Sequence, residues 1–370
     1  MVDMAYKRRA ERRAGWSGLA LALAAVGLFL LGIGRVPTAI RGAPPPAAAA
    51  AEPASVTVAG PSPGVGAAAT ATSAAGASVA APAASAVAAP AGRPDTPRLA
   101  RPAPDSPRIL DIGDLRRPRV RVAAGILYNP RTEEILWERR GLDQRPIASI
   151  TKVMTALVLL DRAPDLDGDV VVSRRDVRRA STTYLRRGER VTLDTLLHLA
   201  LIASDNVAAR ILARASGWGT RRFVKEMNVK AAALGLEGTS FVEPSGLDER
   251  NVSTPYDVAR LLAAASEVPA IERIMRKGTH RVRTDRRSVN IRNTNRLLRS
   301  RNAVRGGKTG YISEAGFCLT ALFELPDADP VVLVVLGAGS NAGRFAEAGR
   351  LIDWMSTTGR SLLDPELQTN

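Results

Sequence analysis

The spacing of apolar positions changes twice along the chain and separates three kinds of segment. From Ala14 to Gly34 no charged residue interrupts the run. An uncharged stretch of that length spans a bilayer as a helix. Lys7, Arg8, Arg9, Arg12 and Arg13 precede it, and positive flanks stay on the cytoplasmic side, so everything after Gly34 is expected outside. A cleaved signal peptide shares this layout, but its apolar run is usually shorter and a small-x-small site follows it directly. The expectation is therefore a basic tail over 1–13 and a membrane anchor, with a signal segment as its rival, over 14–34. From about Ile40 to Pro107 the chain is mostly Ala, Pro, Gly, Ser and Val. It has too few large side chains to offset ordering entropy, which predicts a disordered linker over 35–118. Regular periodicity returns over 119–361, enough for one domain with a full core, and 362–370 is left as a tail.

Within 119–361, Ala123-Gly125-Leu127 and Ile135–Trp137 flank Asn129-Pro130-Arg131-Thr132, a predicted hairpin. Pro146 ends an extended stretch, and a helical run follows from Ser149 to Leu160. A second helix is predicted over Val191–Ile202, where Leu193, Leu196, Leu197 and Leu201 share one face. After a break at Ser204-Asp205 the helical pattern resumes from Asn206 to Ala215. Thr254-Pro255-Tyr256-Asp257 reads as a helix start, with Thr as N-cap and Pro in the first position, leading into Val258–Ala265. The period then changes. Gly307–Phe323 and Val331–Leu336 are strand-like, joined by Pro326–Pro330, and the second is apolar at every position, as in a central strand covered on both faces. Ser340-Asn341 can cap a last helix through Phe345, Leu351, Ile352 and Trp354. Strands at both ends and helices between predict an α+β fold: an antiparallel sheet flanked by helices, with a helical subdomain.

The net charge of +16 raises nucleic acid as a partner. Aromatics are only 4 %, the arginines are scattered and no nucleic-acid signature occurs, so a solvated basic surface, drawn to anionic envelope polymer or headgroups, is the better reading. The single cysteine, Cys318, excludes an intrachain disulfide and sits in a strand-like stretch, as a buried inert thiol does. Two histidines and one cysteine do not suggest a zinc site, and no metal or cofactor is expected.

Lysine use is more informative. Of 52 basic residues only six are lysines: Lys7, Lys152, Lys225, Lys230, Lys277 and Lys308. Arginine does not release its proton near neutral pH, whereas a desolvated lysine does. Lys152 lies three residues after Ser149, on the same helical face, so its amine can reach the hydroxyl. Alone the pattern is weak, since about one Ser-x-x-Lys is expected by chance in a chain this long. Two more patterns follow it: Ser204-Asp205-Asn206 at the break between helices, and Lys308-Thr309-Gly310 opening a strand. Either could be an ordinary cap or turn. Each triplet alone has a chance of about a few per cent, so all three in this order falls well below one per cent. Lys7, Lys225, Lys230 and Lys277 have no motif around them and read as surface lysines.

Ser-x-x-Lys, Ser-Asp-Asn and Lys-Thr-Gly together are the signature of penicillin-binding proteins and class A β-lactamases. Ala148–Ala156, Glu243-Pro244-Ser245-Gly246-Leu247, Asn251 with Ser253-Thr254, Asn293–Leu298 and Gly307–Gly316 narrow the resemblance. From roughly Arg119 to Met355 the chain resembles the D-alanyl-D-alanine carboxypeptidases and endopeptidases, the low-molecular-mass penicillin-binding serine DD-peptidases. Ser-Asp-Asn in the second motif is more similar to the endopeptidase-like branch, and the β-rich C-terminal domain of several members has no counterpart.

The resemblance implies a β-lactamase/transpeptidase-like fold, peptidoglycan stem peptides as substrate and β-lactams as inhibitors. It implies a cell-envelope protein, anchored or secreted, whose catalytic domain is periplasmic or otherwise extracytoplasmic. By the same resemblance Ser149 is the nucleophile, Lys152 its base and Ser204 a proton relay. Asn206 holds Lys152 and substrate, Lys308 and Thr309 bind the terminal carboxylate, and the amides of Ser149 and Tyr311, beside Gly310, form the oxyanion hole. A class A-like β-lactamase and a non-catalytic wall-binding protein are the alternatives. The first needs a glutamate that activates the deacylating water, and Glu243 lies in the corresponding stretch but outside the β-lactamase pattern.

Overall fold

A computed structural model describes residues 107–110, 115–178 and 183–363. The basic tail, the Ala14–Gly34 run, Lys7, nearly all of the Ala/Pro-rich stretch and residues 364–370 lie outside the described residues. Among the described residues no helix is long and apolar enough to cross a membrane.

The chain opens with β1 (Arg108–Ile109), β2 (Ala124–Asn129), β3 (Glu134–Arg139) and β4 (Arg145–Pro146). A single 3₁₀ turn, Ala148–Ile150, runs into α1 (Thr151–Leu160). Then come β5 (Asp169–Val171), α2 (Arg174–Val177) and β6 (Arg190–Thr192). The helices α3 (Leu193–Leu201), α4 (Asn206–Ala215) and α5 (Gly219–Ala233) form the helical block. β7 (Val252–Ser253) precedes α6 (Pro255–Ser266) and α7 (Pro269–Met275). The hairpin of β8 (Thr279–Arg283) and β9 (Ser288–Arg292) is followed by α8 (Leu297–Ser300). Then come β10 (Val304–Ile312), β11 (Gly316–Phe323), β12 (Val331–Ala338) and α9 (Asn341–Thr357). The described residues end with a 3₁₀ turn, Arg360–Leu363, whose Leu362 and Leu363, expected as tail, are buried in the core under α9.

Six strands form the main sheet in the order β1-β3-β2-β12-β11-β10. The predicted antiparallel sheet is corrected at one edge: β1 pairs parallel with β3, so the sheet is mixed. Arg108 and Ile109 belong to the stretch expected as linker, and Arg108 is held there by Glu134 at 3.0 Å. The fully apolar strand β12 lies inside the sheet. Val332, Val334 and Leu336 pack into the core shared with α1, α3, α4 and α6, while Val331, Leu333 and Val335 meet Leu351, Ile352 and Met355 of α9. Successive strand residues point to opposite faces, so an unbroken apolar run requires cover on both.

The run Gly307–Phe323, expected as one strand-like stretch, is two strands. Ser313-Glu314-Ala315 turns the chain and Gly316 takes φ +67°, leaving Lys308 opposite Thr320. A three-residue hairpin loop ending in a left-handed glycine carries little turn signal beyond that glycine. Caps fall where expected: Thr254 accepts from the amide of Asp257, Ser340 from that of Gly343, and Asp205 from those of Val207 and Ala208.

Candidate active site

Ser149 stands in the middle of the 3₁₀ turn rather than in α1, and makes no capping hydrogen bond there. The turn is fixed by the buried side chains of Ile147 and Ile150, and Ala148 is held at φ +47°, in the left-handed region. A non-glycine residue there carries strain that the surrounding packing must hold. Two glycines, Gly246 and Gly310, let the neighbouring backbone close on this turn. A Cβ at Gly310 would sit 2.7 Å from the Ile147 carbonyl oxygen and 3.1 Å from the Ser149 nitrogen, so β10 lies directly against Ser149.

Lys152 follows one turn later with 0 % exposure. Its Nζ contacts Ser149 Oγ at 2.8 Å, Asn206 Oδ1 at 2.7 Å and the Ser245 carbonyl oxygen at 2.6 Å. Burial lowers its pKa to about 7; Glu243 and Asp205 oppose the shift and Arg210 adds to it. A neutral amine has two N–H donors and one lone pair. The Asn206 and Ser245 oxygens only accept, so both N–H groups go to them and the lone pair is left for the Ser149 hydroxyl proton. This is the arrangement a general base needs.

Ser204 occupies the break between α3 and α4 at φ +60°, a second strained position. Asp205 anchors the break from both sides. One carboxylate oxygen caps α4, and the other accepts from Thr183 Oγ1 and the Tyr184 amide, both at 2.8 Å. Asn206 is thereby presented to Lys152 and Ser204 to Lys308.

Lys308 is also fully buried, and its Nζ donates to Ser204 Oγ at 2.7 Å and to the Thr309 carbonyl oxygen at 2.9 Å. Burial, then the neighbouring Lys152 and Arg344, press its pKa well below the usual lysine range. Thr309 Oγ1 donates to Thr294 Oγ1 at 2.7 Å. Tyr311, 53 % exposed, leaves the strand beside Gly310 with its ring stacked on Phe317 at 4.3 Å. All eight residues singled out from the sequence thus belong to one constellation around the 3₁₀ turn and β10.

Four further residues complete it. The carbonyl of Ser245 is a ligand of Lys152, and its position depends on Glu243. That carboxylate accepts from the Ser245 amide and hydroxyl, the Gly246 and Leu247 amides and Asn251 Nδ2. Thr294 extends the hydroxyl pair of Thr309. Arg344 of α9 donates to the Gly310 and Cys318 carbonyls at 2.9 and 3.1 Å and so braces β10 from behind. The motif stretches around Glu243 and Thr294 gave a signal without a role; Arg344 gave none, being one arginine among 46. Two lysines read as ordinary surface residues are engaged instead: Lys230 pairs with Asp161 at 2.9 Å and is 11 % exposed, and Lys277 Nζ lies 2.8 Å from His198 Nε2. Cys318 is buried and its thiol is pushed up to about 11, which is the inert thiol expected.

The mixed sheet with its helices, and a buried lysine amine 2.8 Å from a serine hydroxyl, fit one class: the serine acyl-transfer hydrolases with the penicillin-binding fold. The sequence matches the D-alanyl-D-alanine carboxypeptidase family over residues 114–340, and the chain belongs to that family of serine DD-peptidases. It is 37 % identical over 239 residues to a D-alanyl-D-alanine endopeptidase of Pseudomonas aeruginosa, covering 63 % of this chain and 77 % of the relative. A D-alanyl-D-alanine endopeptidase of Escherichia coli is 34 % identical over 246 residues, with 65 % and 79 % covered. Among solved structures, the Streptomyces K15 DD-transpeptidase aligns with a TM-score of 0.62 at 27 % identity, over 65 % of this chain and 98 % of that one.

Proposed function

We propose that the protein cleaves D-alanyl peptide bonds of peptidoglycan stem peptides through an acyl-enzyme on Ser149. Cross-links are the main substrate and free pentapeptide ends a secondary one. The observation that carries this is the Lys152 amine: buried, with its pKa lowered to about 7, and 2.8 Å from Ser149 Oγ.

Ser149 Oγ attacks the carbonyl carbon as its proton passes to Lys152. The amides of Ser149 and Tyr311 receive the oxyanion. The C–N bond then breaks, and the departing amine takes a proton through Ser204, whose hydroxyl is held by Lys308. Water hydrolyses the ester and regenerates Ser149. Asn206 keeps Lys152 in place and faces the substrate backbone. Lys308 and Thr309 bind the substrate carboxylate, which brings a counter-charge to the buried Lys308 amine and lets it hold its proton. A β-lactam enters as a cyclic acyl donor and remains as a slowly released ester.

Glu243 argues against the β-lactamase alternative, because its carboxylate is engaged by three loop amides, a hydroxyl and Asn251 rather than free to activate water at Ser149. Both relatives named above are called endopeptidases, which supports the cross-link as substrate. In the same reading residues 14–34 anchor the protein in the membrane, the Ala/Pro-rich stretch from 35 up to β1 tethers it, and the catalytic domain, which begins with β1 at Arg108, works on the wall side. Mass spectrometry of products decides the specificity. Monomers released from cross-linked dimers identify the endopeptidase, free D-alanine from pentapeptide the carboxypeptidase, and neither product sinks the proposal.

A further inference from the structure

The hairpin β8–β9 has an unusual outer face. Val282 and Ile291 point inward and are buried, and the ring of His280 stacks on His198 of α3 at 4.0 Å, so the hairpin is docked on the body. The opposite face carries Arg281, Arg283 and Arg292, all exposed. Their register sets Arg281 opposite Asn290 and Thr279 opposite Arg292, which makes Arg292 the diagonal neighbour of Arg281. Diagonal neighbours on a sheet lie about 7–8 Å apart, and like charges so placed repel.

None of the three has an acidic partner or a hydrogen bond through its side chain among the described residues. The arginines of the adjoining turn differ. Arg287 is bound by Glu189 at 2.6 Å, and Arg286 donates to the Gly188 carbonyl at 2.9 Å. Acids are therefore within reach of this region, yet the outer face is left uncompensated. It also adjoins the site: Arg292 precedes Thr294 by two residues, at most about 7 Å of extended chain, and Thr294 is hydrogen-bonded to Thr309.

We infer that this face is a binding surface for the anionic polymer on which the enzyme acts: peptidoglycan strands, whose stem peptides carry free carboxylates. It rests on the proposed activity and extends it. The hairpin holds the polymer through neighbouring stem peptides while one peptide enters the site. Charge complementarity and continuity with the Thr294–Thr309 edge favour this occupant. A membrane headgroup layer would match the charge but has no such relation to the substrate edge.

The test uses the full chain in non-ionic detergent, with the triple variant Arg281→Gln, Arg283→Gln, Arg292→Gln and a second variant carrying lysine at the three positions. Co-sedimentation with isolated peptidoglycan sacculi is measured at low and high salt. Retention of the glutamine variant should fall about tenfold at low salt, with the difference closing at high salt, and the lysine variant should restore it. Labelling by fluorescent penicillin and cleavage of a soluble pentapeptide should be the same in all three proteins. Loss of those activities in the unaltered chain would instead overturn the proposed function. Unchanged sacculus retention in the glutamine variant overturns the binding surface. So does a variant that keeps its sacculi but loses retention on immobilised glycerophosphate, a stand-in for an anionic headgroup, since that assigns the face to a headgroup.

Discussion

Gly246 and Ala148 meet backbone to backbone: a Cβ added at Gly246 would stand 1.9 Å from the Ala148 carbonyl oxygen and 2.9 Å from the Ser149 nitrogen. The loop bearing the Ser245 ligand of Lys152 is thus built directly on the turn bearing the nucleophile. Gly246 also has φ +83°, where a side chain is strained. Gly246→Ala should destabilise the fold by about 2–3 kcal/mol and abolish most penicillin acylation. Urea denaturation and fluorescent-penicillin labelling measure the two effects, and full labelling would show that the loop and the turn are not coupled.

Lys152→Arg keeps a cation and removes the titratable amine. The acylation rate should drop about 10²–10⁴-fold, the usual worth of a general base. Rapid covalent labelling of this variant in a gel-based time course would mean that another group takes the Ser149 proton.

Acylation should depend on pH through Lys152. The neutral amine is the active form and its pKa is lowered to about 7, so the rate should be low in acid, rise through neutrality and level off above it. The stability sign follows the same shift. Between about 7 and the ordinary lysine value of 10.5 the unfolded chain binds the proton and the folded chain does not, so this group's contribution to stability rises with pH across that window. A stopped-flow pH series with a chromogenic penicillin checks the first statement; a rate falling from pH 6 to 8 would contradict it.

Glu243→Gln tests a residue whose carboxylate is engaged by its own loop and Asn251. The carboxylate raises the Lys152 pKa, so its neutralisation should move the acylation midpoint to lower pH. The amide also cannot accept all five donors now held by the carboxylate, and about 2 kcal/mol of stability should be lost. A lower plateau with an unmoved midpoint would assign Glu243 to loop structure alone.

Cys318 should resist iodoacetamide in the native protein at neutral pH, because its thiol is buried and pushed up to about 11. Labelling detected by intact mass only after denaturation is the expected result. Rapid native modification would contradict the packing of β11.

That the candidate residues would lie together was legible in the sequence because they are rare residue types at short spacings. Ser149 and Lys152 stand three residues apart where a 3₁₀ turn runs into α1, and Ser204 to Asn206 span one helix break. Lys308 to Tyr311 are consecutive in β10, which begins four residues before Lys308 and is not opened by it as expected. Local rules also placed β12, the caps at Thr254 and Ser340, and the helices after Ser149 and Asn206, since each follows from periodicity or a terminal hydrogen bond. Other features were decided only in three dimensions. The turn at Ser313–Ala315 exists because β11 must return beside β10, and β1 joins β3 in parallel through a contact with no local signal. Lys308 is expected from the resemblance to bind a carboxylate, yet its burial beside Lys152 presses its pKa down, and burial is a property of packing. The carbonyl of Ser245 and the guanidinium of Arg344 serve the site from distant points in the chain. A main-chain oxygen has no residue type to betray it, and in an arginine-rich chain one more arginine carries no information until the fold brings it to Gly310.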